Sequence, residues 1–335
     1  VRRETLERLR APVTGNALEL EVFEQSEDGA RIEQARLIDR EAGAWYRLED
    51  GIAELLPSEY QDAERRAAFR ARFQLDDAVP ETGAREANAQ PIEQIEFFGR
   101  HHDQYEEEVV KSPFYDAMDA VTLGRWLSGK ALMDKALLEV GAGSGRQTLP
   151  LARSGARVLA TDLSEEMLRL ARRKVHAAGL LERVDFVVCL AEQLPVADDR
   201  FDAGLIFGSM HHFLDPEASL KEMGRALRSG APFYLLEPHD SAVRPVFDWL
   251  MNRWTLWEEE AADDPLFNRD QFERWLGAAG FRTRVGYSTY LPPHLFYVFR
   301  GGLGRALLGG SDAVFSRIPG INKLAGVITA EAVKV

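Results

Sequence analysis

Residues 137–162, LLEVGAGSGRQTLPLARSGARVLATD, constrain this chain more than any other stretch. A short apolar run at 136–140 has the length and composition of a buried strand. It breaks into Gly141-Ala142-Gly143-Ser144-Gly145, a loop with almost no side chains. A helix is predicted over roughly 146–154, stopped by Gly155, and a second β-rich run at 157–161 ends in Asp162. Strand, glycine loop, helix, strand and acid make half of a doubly wound nucleotide-binding unit. Glycines let the backbone turn tightly and approach a ligand closely. The helix start offers unpaired N–H groups to an oxygen-rich or anionic group. Asp162, at a strand tip, can accept the hydroxyls of a ribose. An ordinary βαβ turn explains glycines alone; it does not explain glycines, flanking elements and acid together.

A dinucleotide site is written G-x-G-x-x-G, with the third glycine where helix packs on strand. Here the order is G-x-G-x-G, Arg146 stands at that third-glycine position, and Glu139 sits just before the loop. In these residues the chain resembles the class I S-adenosylmethionine-dependent methyltransferases of the type 11 and ubiquinone-biosynthesis-like kind, whose first motif is E-x-G-x-G-x-G. The resemblance implies S-adenosyl-L-methionine as cofactor. It places Gly141, Ala142, Gly143 and Gly145 along the methionine part, Asp162 on the ribose, and Glu139 near the ammonium through water. It also assigns Leu163 and Met167, just past the acid, to the cofactor wall.

At 335 residues the chain can bury a sizeable core and form two domains. No apolar run approaches the ~20 residues of a membrane span, and the opening VRRETLERLR has no apolar signal core, so a cytoplasmic protein is expected. Cys189 is the one cysteine, which excludes an internal disulfide and a multi-cysteine metal site; it reads as a core thiol. The net charge of −13 argues against a protein that grips nucleic acid through its whole surface.

Residues 1–60 read as a separate small β-rich unit. Its pattern resembles the zinc-ribbon domain found beside many methyltransferases, with the four cysteine positions on Ala11, Thr14, Asp39 and Ala42. The resemblance therefore implies a ribbon without metal, packed on Trp45, Tyr46 and Phe23, with a scaffold or docking role. Residues 61–92 read as a helix carrying Phe69 and Phe73, then a linker with Pro80, Gly83 and Pro91. Residues 93–335 read as the methyltransferase-like domain. Its first helices, over 92–128, carry apolar residues at helical steps. The resemblance makes Tyr105 the aromatic that touches the methionine end. His101 and His102 are not a metal pair, because adjacent helical residues face apart.

Ala191-Glu192-Gln193-Leu194-Pro195, followed by Phe201-Asp202, is similar to the family's adenine-side segment. The family's Asp falls on Leu190, so the contact passes to the Ala191 backbone or the Glu192 side chain. The fourth strand, 203–207, ends in Phe207 and Gly208-Ser209-Met210-His211-His212-Phe213, the tip that lies beside the methyl group in the resembling enzymes. Methyl transfer from a sulfonium is an in-line displacement. The protein mainly positions the acceptor and, for an O–H group, removes a proton. His211 and His212 are candidates for that role, with backbone-bonded strand-end histidines as the plainer alternative. The fifth strand closes in Glu237-Pro238-His239-Asp240. Ligands collect at such strand ends, which makes His239 and Asp240 second candidates.

Two insertions are expected, at about 241–265 with Phe247, Trp249, Trp254 and Trp257, and at about 292–325 with short apolar helices. The expected fold is α/β, a doubly wound, mostly parallel seven-stranded sheet, for which the resemblance implies the order 3-2-1-4-5-7-6 with strand 7 reversed. A small N-terminal β-rich domain and an inserted helical lid complete it. The expected function is methyl transfer to an O or N atom of a small-molecule or lipid-like acceptor, with peripheral membrane contact through the 292–325 lid and an open oligomeric state. Two alternatives stand beside it: an RNA methyltransferase, because a related ribbon precedes some rRNA enzymes, and a non-catalytic cofactor-binding protein or partner subunit, because the adenine-side acid is missing.

Overall fold

The computed structural model describes residues 1–75, 88–254, 265–299, 302–318 and 320–335. Among them the strands are β1 (Glu19–Gln25), β2 (Ile32–Asp39), β3 (Ala44–Glu49), β4 (Ile52–Glu54), β5 (Ala136–Val140), β6 (Arg157–Asp162), β7 (Val184–Val188), β8 (Ala203–Phe207), β9 (Pro232–Pro238), β10 (Phe281–Ser288) and β11 (Val327–Lys334). They form one sheet in the order β1-β2-β3-β4-β7-β6-β5-β8-β9-β11-β10. From β7 to β10 this is the expected 3-2-1-4-5-7-6 order. β5 through β9 pair in parallel, and β11 runs antiparallel to both neighbours. β5, β7 and β8 are buried along their whole length, as parallel strands covered on both faces must be. β11 alternates buried with half-buried residues, the mark of a strand nearer the sheet's edge.

The first 56 residues do not stand apart. β1 to β4 form an antiparallel meander, and β4 then pairs in parallel with β7, Ile52 opposite Phe186 and Glu54 opposite Val188. An uncovered β7 would present a row of unpaired backbone groups, and β4 occupies it. Leu9, Ile32, Leu37 and Leu48 share one apolar cluster with Val187 and Val196 of the larger unit. Arg47, 1% exposed, pairs with Glu54 at 2.9 Å and Glu49 at 2.8 Å, and also with Glu165 on the far side of the junction. Two of the ribbon-like positions, Thr14 and Asp39, are in direct contact. Asp39 accepts from Thr14 Oγ1 at 2.6 Å, Asn16 Nδ2 at 3.1 Å and Ala42 N at 3.2 Å. Although burial opposes it, these donors hold the carboxyl below its ordinary pKa.

Helix ends follow local chemistry. Ser164 caps Glu165–Ala177 through Met167 N, and Asn268 with Gln271 forms a capping box on Arg269–Ala278. The helix after the glycine loop is shorter than expected, Thr148–Arg153, because residues 143–147 run in turns around Gly145 at φ +83°. A long helix, Ala89–Tyr105, continues through a π-turn, Glu106–Val110, ahead of β5. The first insertion holds Arg244–Arg253. The second holds helices Pro293–Val298 and Gly302–Phe315 and a short turn, Ile321–Leu324. Trp257, and Pro80 and Gly83 of the expected linker, lie outside the described residues. Among the described residues no helix is long and apolar enough to cross a membrane.

Candidate active site

A cavity of about 560 Å³ opens at the carboxyl ends of the parallel strands, where ligands bind in open α/β sheets and within the size range of small-molecule sites. One end is built from the β5 loop and the β6 tip. Gly141 N and Ala142 N both donate to Thr161 O at 2.9 Å, which ties the loop to β6. Gly143 N donates to Asp162 Oδ2 at 2.7 Å and Ser164 N to Oδ1 at 2.9 Å. Burial raises the Asp162 pKa against these N–H groups, and they orient the carboxylate at the cavity wall. Gly141 sits at φ +74°, and a Cβ there would lie 2.2 Å from Ser209 Oγ. Only glycine lets the β8 tip come this close.

Glu139 is 2% exposed and accepts from Thr148 Oγ1 at 2.7 Å. Burial is the main cause that pushes its pKa up to about 8. Tyr105, Leu163, Met167, Ala191, Glu192 and Phe207 all line the same cavity, as do Glu139, Gly141, Ala142, Gly143 and Asp162. Gly145 does not. Its Cβ position lies 3.0 Å from Ala171 Cβ, so its lack of a side chain serves helix packing. Glu192 turns its carboxylate to Asp215 N at 3.1 Å, and burial raises its pKa. Cys189 also lines the cavity, and burial pushes its thiol pKa well up, which keeps it protonated and unreactive.

The other end collects the three histidines. His211 Nδ1 lies 2.7 Å from Glu237 Oε2. Glu237 is fully buried, and its other oxygen accepts Ser209 N at 3.1 Å and Met210 N at 2.7 Å. A carboxylate so placed favours the tautomer in which Nδ1–H donates to it. The His212 ring lies 4.0 Å from that of His211, centroid to centroid and tilted by 51°, and burial with that neighbour holds its pKa well below the usual value. Gln90 Nε2, at 3.4 Å, and Gln94 Nε2 donate to the His212 carbonyl from the covering helix. His239 Nδ1 donates to Ala325 O at 2.9 Å, which fastens β9 to the start of β11. Asp240 is exposed and does not line the cavity.

Glu237 is the residue that sequence reasoning passed over, although a lone acid ends the apolar run Phe233-Tyr234-Leu235-Leu236. Arg146 was noted only as a departure from glycine. It pairs with Asp119 at 3.1 Å and lies over Tyr115 and Phe207 at 5.1 and 5.5 Å. Ser144 was unassigned. Its hydroxyl donates to Glu106 Oε2 at 2.8 Å, and Lys174 Nζ lies 2.8 Å from the same oxygen.

Residues 138–235 match the family model described as a methyltransferase domain. A demethylmenaquinone methyltransferase of Clavibacter sepedonicus is 36% identical over 118 residues, 34% of this chain and 47% of that protein. Methyltransferase GfsG of Streptomyces halstedii is 41% identical over 113 residues, 33% of this chain and 40% of that protein. A ubiquinone/menaquinone biosynthesis C-methyltransferase UbiE of Klebsiella pneumoniae is 30% identical over 113 residues, 33% of this chain and 45% of that protein. The chain thus spans less than half the length of these relatives. Two solved structures share the fold. The [4+2]-cyclase SpnF has TM-score 0.53 at 18% identity, covering 76% of this chain and 99% of that one. Haemonchus contortus phosphoethanolamine N-methyltransferase 2, with S-adenosylhomocysteine, has TM-score 0.51 at 18% identity, covering 74% and 60%. The matched segment is thus similar to a methyltransferase domain, and it spans β5 to β9, the parallel part of the sheet around the cavity.

Proposed function

We propose that the protein transfers a methyl group from S-adenosyl-L-methionine to a small, largely apolar acceptor. The observation that carries this reading is the shared cavity. Its β5–β6 end presents an oriented carboxylate and bare backbone, and its β8–β9 end presents a histidine oriented by a buried acid. The donor set suits the cofactor. Asp162 would hold the ribose, Glu139 would face the cationic methionine end, and Met167 with Leu190 would wall the adenine. Bound there, the cofactor supplies a methyl group on a positively charged sulfur.

The chain's own residues supply position and proton transfer. His211 Nε2 takes the proton of an acceptor O–H or N–H, while Glu237 stabilises the imidazolium that results. A deprotonated ring hydroxyl makes either its oxygen or an adjacent carbon the nucleophile, so this step suits O- and C-methylation alike. His212, held neutral by burial, positions rather than competes. Phe247, Leu250, Leu291 and Pro293 wall the acceptor end, and two relatives carry names that specify quinone-type acceptors. Among the described residues the basic side chains on the cavity are Arg146 and Arg244, paired with Asp119 and Asp248. Recognition of RNA phosphates needs more cations than these.

The insertions also support delivery of the acceptor from a lipid surface. Trp249, Trp254, Val298 and Leu303 are 55–70% exposed, and Val246 and Leu324, also exposed, line the cavity. Exposed patches of this kind mark interaction surfaces, with Trp favoured at a lipid interface. The test is mass spectrometry of small-molecule and lipid extracts incubated with the protein and deuterated-methyl cofactor. A mass-shifted product that vanishes in Asp162→Ala is expected. A protein that binds the cofactor yet labels nothing across these extracts would overturn the reading.

A further inference from the structure

The turn after β10 has features that packing does not explain. Thr289 sits at φ +63°, a left-handed conformation that strains a β-branched residue. Glycine or asparagine would adopt it at lower cost. The turn is held by Asp312, fully buried on the inserted helix Gly302–Phe315. Its Oδ1 accepts Thr289 N at 2.9 Å and Tyr290 N at 3.4 Å, and its Oδ2 accepts the Ser288 hydroxyl. Thr289 O in turn accepts Gly326 N at 2.9 Å, and Gly326 O accepts His239 N at 3.0 Å. A buried acid from the lid thus fixes three successive residues against the strand ends that carry the histidines.

Thr289 and Tyr290 both line the cavity. The Thr289 Oγ1 and Tyr290 hydroxyl oxygens are buried without a hydrogen-bond partner among the described residues. Three of the eight such side-chain atoms, with Gln147 Oε1, belong to residues on this one cavity. Buried polar groups are almost always satisfied, so a cluster of exceptions around one cavity calls for a cause. Valine and phenylalanine would fill the same space without leaving a hydroxyl unpaired. Each hydroxyl both donates and accepts, which suits a hydroxyl or carbonyl oxygen of a ligand.

We propose that residues 288–290, locked by Asp312, are the acceptor-selecting turn, with Thr289 and Tyr290 hydrogen-bonding an oxygen on an otherwise apolar acceptor. The inference rests on the methyl-transfer reading of the cavity. The lid helix then does more than cover the site, because its one buried acid sets the geometry that distinguishes acceptors.

The test uses 2-naphthol and naphthalene, which differ by one hydroxyl, titrated by ligand-observed NMR into the full chain loaded with S-adenosylhomocysteine. The wild type is expected to prefer 2-naphthol by about tenfold or more, since a site built to hydrogen-bond an oxygen rejects the analogue without it. Thr289→Val and Tyr290→Phe should each cut that preference by roughly three- to tenfold. Thr289→Ser, which keeps the hydroxyl, should retain it. S-adenosylhomocysteine affinity and melting temperature should not move in any of the three. A wild type without preference, or one whose preference survives both hydroxyl deletions, overturns the proposal. If S-adenosylhomocysteine itself fails to bind, the methyl-transfer reading falls instead.

Discussion

Glu139 and Glu237 are both buried acids at strand ends, and their surroundings give them different work. Glu139 has one hydroxyl donor, and burial raises its pKa to about 8. It is therefore mostly protonated at neutral pH. A cationic methionine end favours its ionised form, so binding below that pKa must expel a proton. Cofactor affinity should then climb as pH rises from about 6 to 8 and level off above, by up to about tenfold per pH unit. Glu139→Gln should flatten the curve, as calorimetric titration across pH would show. Glu237, with two backbone N–H groups and His211 upon it, would orient the base proposed above. Glu237→Gln and His211→Ala should lower turnover of the identified acceptor by about 10²–10⁴-fold while cofactor affinity stays put. Full activity in either variant would remove the base assignment. The glycine loop and Asp162 were legible because the backbone chemistry they need is local. Glu237 was not, since its meaning depends on a loop 26 residues earlier.

At the scale of elements, the covering helix is fastened at both ends. Gln90 and Gln94 reach the His212 carbonyl, and Glu106 joins Lys174 and Ser144. The second fastening reaches the glycine loop through Ser144. Lys174→Met should speed cofactor release by about three- to tenfold, read by stopped-flow displacement; an unchanged rate would show that the helix is held by packing alone. Apolar periodicity predicted this helix and the strands well. It could not predict Glu106, whose partners lie 38 and 68 positions away. Nor could it find the Asp312 turn, because an acid inside an apolar helix reads as an exception until the strand end it holds is in view.

Across the whole molecule, the sheet order from β7 to β10 is the one the family resemblance implies, whereas the place of residues 1–60 could not be read from their own pattern. Alternating strands with turn signals describe a small unit equally well whether it stands alone or covers an open sheet edge. Pairing of β4 with β7 joins these strands to the larger sheet. Arg47 binds Glu54 beside it and Glu165 across that junction, and Arg47→Met leaves the buried Glu54 without its cation. A loss of about 3–5 kcal/mol is expected, with one cooperative unfolding transition in chemical denaturation. Two separate transitions would show that the N-terminal strands fold independently. The exposed apolar rim makes a second claim at this scale. Sedimentation with zwitterionic lipid vesicles should carry the protein down, and Val298→Glu with Leu303→Glu should release it. Equal sedimentation of the variant would assign the patch to something other than lipid.

The most direct measurement is calorimetric titration of S-adenosylhomocysteine into the wild type and Asp162→Ala, with NAD⁺ titrated in parallel. One site per chain is predicted for the wild type, weakened at least about tenfold by the substitution, with no heat from NAD⁺. Equal affinity in the two proteins, or a response to NAD⁺ alone, would contradict the account.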